Sequence, residues 1–178
     1  GKVVENISSS SIVQESPDSE YKLVQSYVFS YISANKGNFA KENFVAKDTA
    51  DKYAKKYKEA GLFGGHVILL NPEKSEFYEE DCVQAKKAFQ AYPGGLQVGG
   101  GIHAENALGF LNMGASHVIV ASYVFKNGEV NYENLKKISN VVGKEHLVLD
   151  LSCRKRNGEY YIVTDRWQKF TDVTMTLD

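Results

Sequence analysis

From residue 47 onward, four short runs of consecutive apolar residues alternate with segments of helical periodicity. Although Gln97 interrupts the second run, none of the four alternates apolar and polar residues over the length that is typical of a strand with one face in water. Such strands are covered on both faces, as in a parallel sheet built from strand–helix–strand units. The sequence therefore predicts an α/β fold with buried strands at residues 66–70, 96–98, 117–120 and 147–151.

The segments that alternate with these strands carry apolar residues at three- and four-residue spacing, which predicts amphipathic helices. The first helix follows Asp48, a residue type that caps helix N-termini, and ends at Gly61. The second helix spans residues 78–91 and is stopped by a Pro-Gly-Gly sequence. The third is marked by Ala104, Leu108 and Leu111, and the fourth by Tyr132, Leu135, Ile138 and Val142.

The chain divides into two predicted regions, residues 1–46 and residues 47–178. The first region contains four consecutive serines and a β-branched, aromatic run at 27–32. We interpret it as a short strand followed by a long, weakly structured excursion, with 27–32 as a candidate edge strand. Near the end of the second region, an Asn-Gly dipeptide is typical of a type I′ turn and predicts a hairpin at 152–167.

Composition limits the partners that we expect. Lys and Arg number 21 against 22 Asp and Glu, so the chain as a whole does not attract nucleic acid or an anionic membrane. No apolar run reaches the roughly 18 residues that a membrane span requires. Cys82 and Cys153 do not form a metal-ligand spacing, and we interpret both as free thiols. The sequence predicts neither a metal nor a cofactor.

Candidate anion-binding residues follow two neighbouring strands. Gly99, Gly100 and Gly101 connect a strand to a helix, where glycines let backbone N–H groups approach an anion near the positive end of the helix dipole. A turn that only needs positive φ explains the triplet equally well. Ala121 and Ser122 follow the next strand, and loops after adjacent strands of a barrel meet on one face. Taken alone, these two residues are more simply an ordinary strand end.

Asp150 is the leading candidate for a general acid or base. Its flanking residues are apolar, a buried carboxylate is costly unless it is paired or used, and catalytic residues of α/β proteins lie at strand C-termini. A buried ion pair, for example with Arg154, is the structural alternative. Trp167 is either a stacking surface for a planar heterocycle or a packing residue of the hairpin.

Several segments, taken in order, resemble the eukaryotic ProFAR (phosphoribosylformimino-5-aminoimidazole carboxamide ribotide) isomerase family of histidine biosynthesis, most closely its plant and algal members. The resemblance covers essentially everything from Lys47 onward. It implies a (β/α)8 TIM barrel that works without metal or cofactor. It also implies an Amadori rearrangement, from aminoaldose to aminoketose, of a substrate that carries two phosphates. The matching segments are residues 64–68, 94–102, 114–120, 147–155 and 164–172.

The same resemblance assigns roles to individual residues. Asp150 corresponds to one of the family's two catalytic aspartates. The glycine triplet, Ala121 and Ser122 correspond to a phosphate site. Trp167 is expected to stack on the substrate, and Arg154 is a second candidate for contact with it.

The family's other catalytic aspartate and its strands six to eight have no counterpart in this sequence. We therefore expect a partial barrel with about strands 2–5, inactive alone and able to self-associate through open edges, whereas full-length members are monomeric. The location expected is the cytoplasm, or a plastid if a transit peptide precedes Gly1. Two alternatives stay open: the related imidazole glycerol phosphate synthase cyclase, and a non-catalytic phosphate-binding half-barrel.

Overall fold

The structure is a computed structural model that describes residues 2–6, 28–32, 45–46, 48–165 and 168–175. Most of the excursion predicted within residues 1–46 lies outside the described residues, as does Trp167. Most of the described residues belong to the strand–helix units from residue 48 onward.

Twelve strands and four α-helices make up the described part. The strands are β1 (Lys2–Asn6), β2 (Val28–Ile32), β3 (Val45–Ala46), β4 (Gly65–Leu69), β5 (Leu96–Gly99), β6 (His117–Val120), β7 (Phe125–Lys126), β8 (Glu129–Val130), β9 (Leu147–Leu149), β10 (Ser152–Arg156), β11 (Glu159–Thr164) and β12 (Lys169–Thr174). The helices are α1 (Ala50–Glu59), α2 (Tyr78–Ala91), α3 (Ala107–Asn112) and α4 (Tyr132–Val142), and a 3₁₀ turn spans Lys144–His146.

Seven strands form one sheet in the order β3-β1-β2-β4-β5-β6-β9. The five strands from β2 to β9 are parallel, whereas β1 is antiparallel to both of its neighbours. The α/β class and the four strands predicted from residue 66 onward are confirmed. The prediction of an edge strand at 27–32 is wrong, because β2 pairs with β1 on one side and β4 on the other. Its β-branched and aromatic residues suit such an interior position.

The two faces of the parallel sheet are covered unequally among the described residues. Side chains that alternate along the strands, such as Val67, Val98 and Val118, are buried in one core with helix residues, of which Phe89 is fully buried. Most intervening side chains on the other face, including His66 and Ile68, are only partly buried, although Ile119 is buried. The sequence predicts that both faces are covered. The face that packs against the helices is fully covered, and the other face is covered only in part. In a closed barrel, the other face points inward.

The predicted helices are present, and α2 has the predicted bounds. Of the residues that predicted the third helix, Ala104 is buried and Leu111 packs against the core, whereas Leu108 is 48% exposed. Ala107 and Phe110 are the buried residues of α3. Asp48 does not cap α1, since Thr49 occupies the N-cap position and Asp48 pairs with Lys52 at 2.7 Å.

A second sheet, β10-β11-β12, follows the parallel strands. The predicted hairpin is confirmed, with Asn157 and Gly158 at φ values of 54° and 92° in the turn between β10 and β11. The third strand, β12, was not predicted. A smaller hairpin joins β7 to β8 through another Asn-Gly pair, Asn127 and Gly128, with φ values of 59° and 82°. Among the residues described, no helix is long and apolar enough to cross a bilayer.

A buried carboxylate fixes the turn that follows β4. Asp81, in the first turn of α2, has no exposed surface. It accepts hydrogen bonds from the backbone N–H of Asn71 at 3.1 Å and from the Asn71 amide at 3.0 and 2.9 Å. Burial raises the pKa of the Asp81 carboxyl, and the hydrogen bonds from Asn71 offset part of that increase. The carboxylate thus ties the end of β4 to the start of α2.

This raised pKa predicts a pH dependence of stability. The folded state holds the Asp81 proton more tightly than the unfolded state does, so ionisation favours unfolding. The free energy of unfolding should therefore fall as pH rises from the ordinary value of 3.8 through the higher pKa of the folded state. In Asp81→Asn this decrease should be absent, whatever the variant's absolute stability. Urea unfolding measured at a series of pH values tests the difference.

The matched control is Glu79→Gln, which removes an exposed carboxyl from the same turn of α2. Its pH profile should follow that of the parent chain. If Asp81→Asn also follows the parent profile, the Asp81 carboxyl does not titrate as described.

Candidate functional site

Three of the predicted site segments lie side by side at the carboxyl edge of the parallel sheet, where the strands end. β5 ends at Gly99, β6 at Val120 and β9 at Leu149. Val120 pairs with Leu149, and the N–H of Asp150 donates to the Val120 carbonyl oxygen at 2.9 Å. Asp150 therefore lies beside the segment that follows β6, and β6 lies beside β5.

The glycine triplet is tightly packed at two of its three positions. A Cβ atom on Gly99 would lie 2.9 Å from Ile68 Cδ1 and 3.3 Å from Ile119 Cβ. Gly100 has a φ of 92°, and a Cβ there would overlap the Leu69 carbonyl oxygen. Gly101 also has positive φ, 68°, but a Cβ there would meet open space. The first two glycines are thus required for close packing against neighbouring strands, and the third borders an open region.

The helix does not follow the glycines directly, contrary to the sequence-based expectation. α3 begins at Ala107, and a turn intervenes in which the His103 carbonyl oxygen accepts from the Asn106 and Ala107 N–H groups. The Asn106 side chain holds this turn: Oδ1 accepts from the His103 N–H at 3.0 Å, and Nδ2 donates to the Gly101 carbonyl oxygen at 3.1 Å. The predicted contribution of the α3 dipole stays a prediction. Asn is a common residue before a helix, and that signal in the sequence points to Asn106.

Ala121 and Ser122 are both exposed, directly after β6. The Ala121 carbonyl oxygen accepts from the N–H groups of Val124 and Phe125, at 3.0 and 2.8 Å, which forms a tight turn. Ser122 lines a largely polar pocket of about 580 Å³ together with residues of the β7–β8 hairpin, among them Lys126. The placement agrees with an accessible hydroxyl at the carboxyl edge, and the phosphate role of both residues stays a prediction.

Asp150 is exposed, so the sequence argument from the cost of burying its charge is wrong. It lies one residue beyond β9, past the part of the strand that the neighbouring elements cover. Burial lowers the pKa of His66, and the charge of Asp150 opposes that shift, which places the two groups within electrostatic range. What supports a chemical role for Asp150 is therefore its position at a strand C-terminus.

The hairpin that follows Asp150 carries stacked guanidinium groups. The Arg154 guanidinium carbon lies 5.5 Å from the centroid of the Phe170 ring. The corresponding atom of Arg156 lies 4.6 Å from the centroids of both Phe170 and Tyr161. Each of these distances is within the range of a cation–π contact. Because Trp167 lies outside the described residues, its stacking role stays a prediction, as does substrate contact by Arg154.

Four polar side chains contact one another in series along the rim of the site. His103 Nε2 lies 3.3 Å from Glu73 in the loop after β4, and His103 Nδ1 lies 2.9 Å from Glu105 in the loop after β5. Glu105 also contacts Lys137 of α4. Hydrogen bonds, that from Lys137 above all, lower the pKa of Glu105 to about 2. These contacts link three separate segments around the glycines.

Metal binding and thiol chemistry have no support in the part of the chain that the structure describes. There, no three His, Cys, Asp or Glu side chains come together as a metal site. Burial raises the pKa of Cys82 and of Cys153, which disfavours the reactive thiolate. The polar groups at the carboxyl edge are suited to binding an anion and transferring protons.

Comparison with known proteins identifies relatives. A family model described as "Histidine biosynthesis protein" matches residues 30–177. A chloroplastic imidazole-4-carboxamide isomerase of Medicago truncatula, with phosphoribosyl groups in its full name, is 54% identical over 133 residues, which is 75% of this chain and 41% of that protein. The corresponding isomerase of Candida albicans is 38% identical over 157 residues, 82% of this chain and 54% of that protein. The chain spans about half the length of the curated relatives it matches.

The close approach at Gly100 predicts unequal costs for two adjacent substitutions. Gly101→Ala should lose about 1 kcal/mol of unfolding free energy, because only the left-handed backbone conformation disfavours alanine. Gly100→Ala should lose about 3 kcal/mol or more, because the Leu69 backbone must also move. Urea unfolding of both variants measures the difference, and equal losses would show that the strands do not approach as closely as described.

Proposed function

Since the chain belongs to the histidine biosynthesis protein family, we propose that it forms part of an intramolecular aldose–ketose isomerase. The reaction proposed is the Amadori rearrangement that converts ProFAR to its phosphoribulosyl isomer. The observation that carries the proposal is the placement of Asp150 at the same sheet edge as the glycine triplet and Ser122. The three relatives are named as isomerases, which favours this reaction over that of the related cyclase.

The chemistry requires two opposite proton transfers. A proton delivered to the ring oxygen of the aminoribose opens the ring and leaves an imine, and removal of the proton from C2 then gives the enolamine that becomes the aminoketose. We assign one of these transfers to the Asp150 carboxyl, which is exposed and can reach a bound ligand. The family resemblance assigns the other to an aspartate on the first barrel strand.

The phosphate groups of the substrate provide orientation. One phosphate would bind at the glycine triplet with Ser122, and this contact holds the sugar at a fixed distance from Asp150. The N–H groups of Gly101 and Ile102 donate to no acceptor among the described residues, so they are available to a phosphate oxygen. A second phosphate requires a site beyond the described residues.

A non-catalytic phosphate-binding half-barrel is the second candidate. The observation that favours it is the open loop at Gly101, whose N–H group can bind an anion whether or not a second carboxylate lies nearby. It shares the phosphate site with the isomerase and differs only in turnover.

For location, we propose a plastid, because the Medicago truncatula relative is named chloroplastic.

Replacement of Asp150 tests the isomerase. We would build a chimera in which residues 48–175 replace the matching segment of the Medicago truncatula protein. Asp150→Asn in this chimera should lower kcat for ProFAR at least about a hundredfold, because the amide neither donates nor accepts a proton as a carboxyl does. Asp172→Asn, which neutralises an exposed carboxyl on β12, is the control and should keep the parent kcat.

Three outcomes are distinguishable. Loss of kcat in Asp150→Asn alone supports the acid–base role. Equal activity of Asp150→Asn and the parent chimera contradicts that role. A parent chimera that binds phosphate without turnover supports the half-barrel candidate instead.

A further inference from the structure

Asn106 donates a hydrogen bond to the Gly101 carbonyl oxygen of the candidate phosphate loop, and we propose that it is a positioning residue for phosphate binding. Asn106 was not among the candidate residues of the sequence and does not touch the proposed ligand. The inference rests on the proposed phosphate site, and it assigns to Asn106 the task of fixing how that site presents its N–H groups.

The Asn106 side chain joins three parts of the structure. Its Oδ1 accepts from the His103 N–H, and its Nδ2 donates to the Gly101 carbonyl oxygen, at 3.0 and 3.1 Å. It also interacts with the hydroxyl of Tyr78, in the first turn of α2, where hydrogen bonding from Asn106 partly offsets the rise in the Tyr78 pKa that burial causes. One side chain thus connects the glycine loop, the following turn and a neighbouring helix.

The bond to Gly101 determines the direction of one peptide group. With its carbonyl oxygen held by Asn106 Nδ2, the Gly101–Ile102 peptide must direct its N–H to the opposite side, because the two groups of a trans peptide point in opposite directions. That N–H belongs to Ile102, a residue only 3% exposed, and it donates to no acceptor in the described part of the chain. An unpaired donor in so covered a residue is uncommon and indicates a site for an acceptor.

The backbone conformation on either side fits an anion. Gly100 and Gly101 have positive φ values of 92° and 68°, and glycines in such conformations let the backbone approach a ligand closely. Gly101 has no neighbour that would hold it in this conformation, since the space around its Cβ position is open. Asn106 supplies the restraint that packing does not.

The alternative is that Asn106 only holds the turn at His103, since its side chain makes no cap hydrogen bond to α3. That turn uses the Oδ1 acceptor, which aspartate retains, whereas the bond to Gly101 needs the Nδ2 donor, which aspartate lacks. Asn106→Asp therefore separates the two roles, and Asn106→Ala removes both without adding charge. Asn112→Ala, at the exposed end of the same helix, is the matched control.

The experiment titrates inorganic phosphate into the 178-residue chain and follows the amide NMR signals of Gly101 and Ile102, with thermal unfolding of each variant measured in parallel. We expect Asn106→Ala to raise the phosphate Kd about tenfold or more. Asn106→Asp should keep a Tm close to that of the parent chain and still bind phosphate as weakly as Asn106→Ala, or more weakly. Asn112→Ala should bind as the parent does.

Three results would overturn the inference. The first is a parent-like Kd in Asn106→Ala. The second is recovery of both Tm and Kd in Asn106→Asp, which would show that Asn106 acts only by holding the turn at His103. The third is a parent chain whose Gly101 and Ile102 signals do not respond to phosphate, which would remove the phosphate site itself. Phosphate binding that depends on Asn106, together with a chimera that has no turnover, would support this inference and reject the isomerase.

Discussion

The hydrogen-bond ladder of the five parallel strands is the constraint on which the rest of the structure depends. It pairs Ile68 with Gly99 and Val120 with Leu149, and so brings the strand ends to one edge. A slip of one residue in β9 would turn its core side chains to the other face and displace Asp150 from the carboxyl edge. The same backbone bonds therefore determine both how the core packs and which polar groups meet.

What the sequence predicted correctly was local, and what it predicted wrongly depended on neighbours. The bounds of α2 and the turn at Asn157 follow from helical periodicity and from a turn-forming dipeptide, each contained in a few residues. Leu108 has the spacing of a core residue, yet it lies on the exposed side of α3, whereas Ala107 and Phe110 are buried. Asp150 has apolar neighbours in sequence, but it lies beyond the end of its strand and is exposed.

The candidate site shows the same division. The glycines and Ser122 could be identified from their place after apolar runs, because parallel strands always present their carboxyl ends together. The sequence does not reveal that Asn106 would bond back to Gly101, or that Asp81 would reach Asn71. Both contacts join segments whose approach is set by the packing of α2 and the turn after β5. Residues of this kind support a site without belonging to a recognisable motif.

The segments around the glycines are held by two kinds of contact that respond differently to ionic strength. The outer contact between Glu105 and Lys137 joins exposed charged groups, and at 0.1 M salt such interactions are screened over about 10 Å. The inner contacts are hydrogen bonds: that of Asn106 to Gly101 joins uncharged groups, and those of Asn71 go to a carboxylate with no exposed surface. A rise in salt therefore weakens the charged contact at the rim more than the hydrogen bonds beneath it. The rim can then adjust to a charged ligand while the glycine loop keeps its shape.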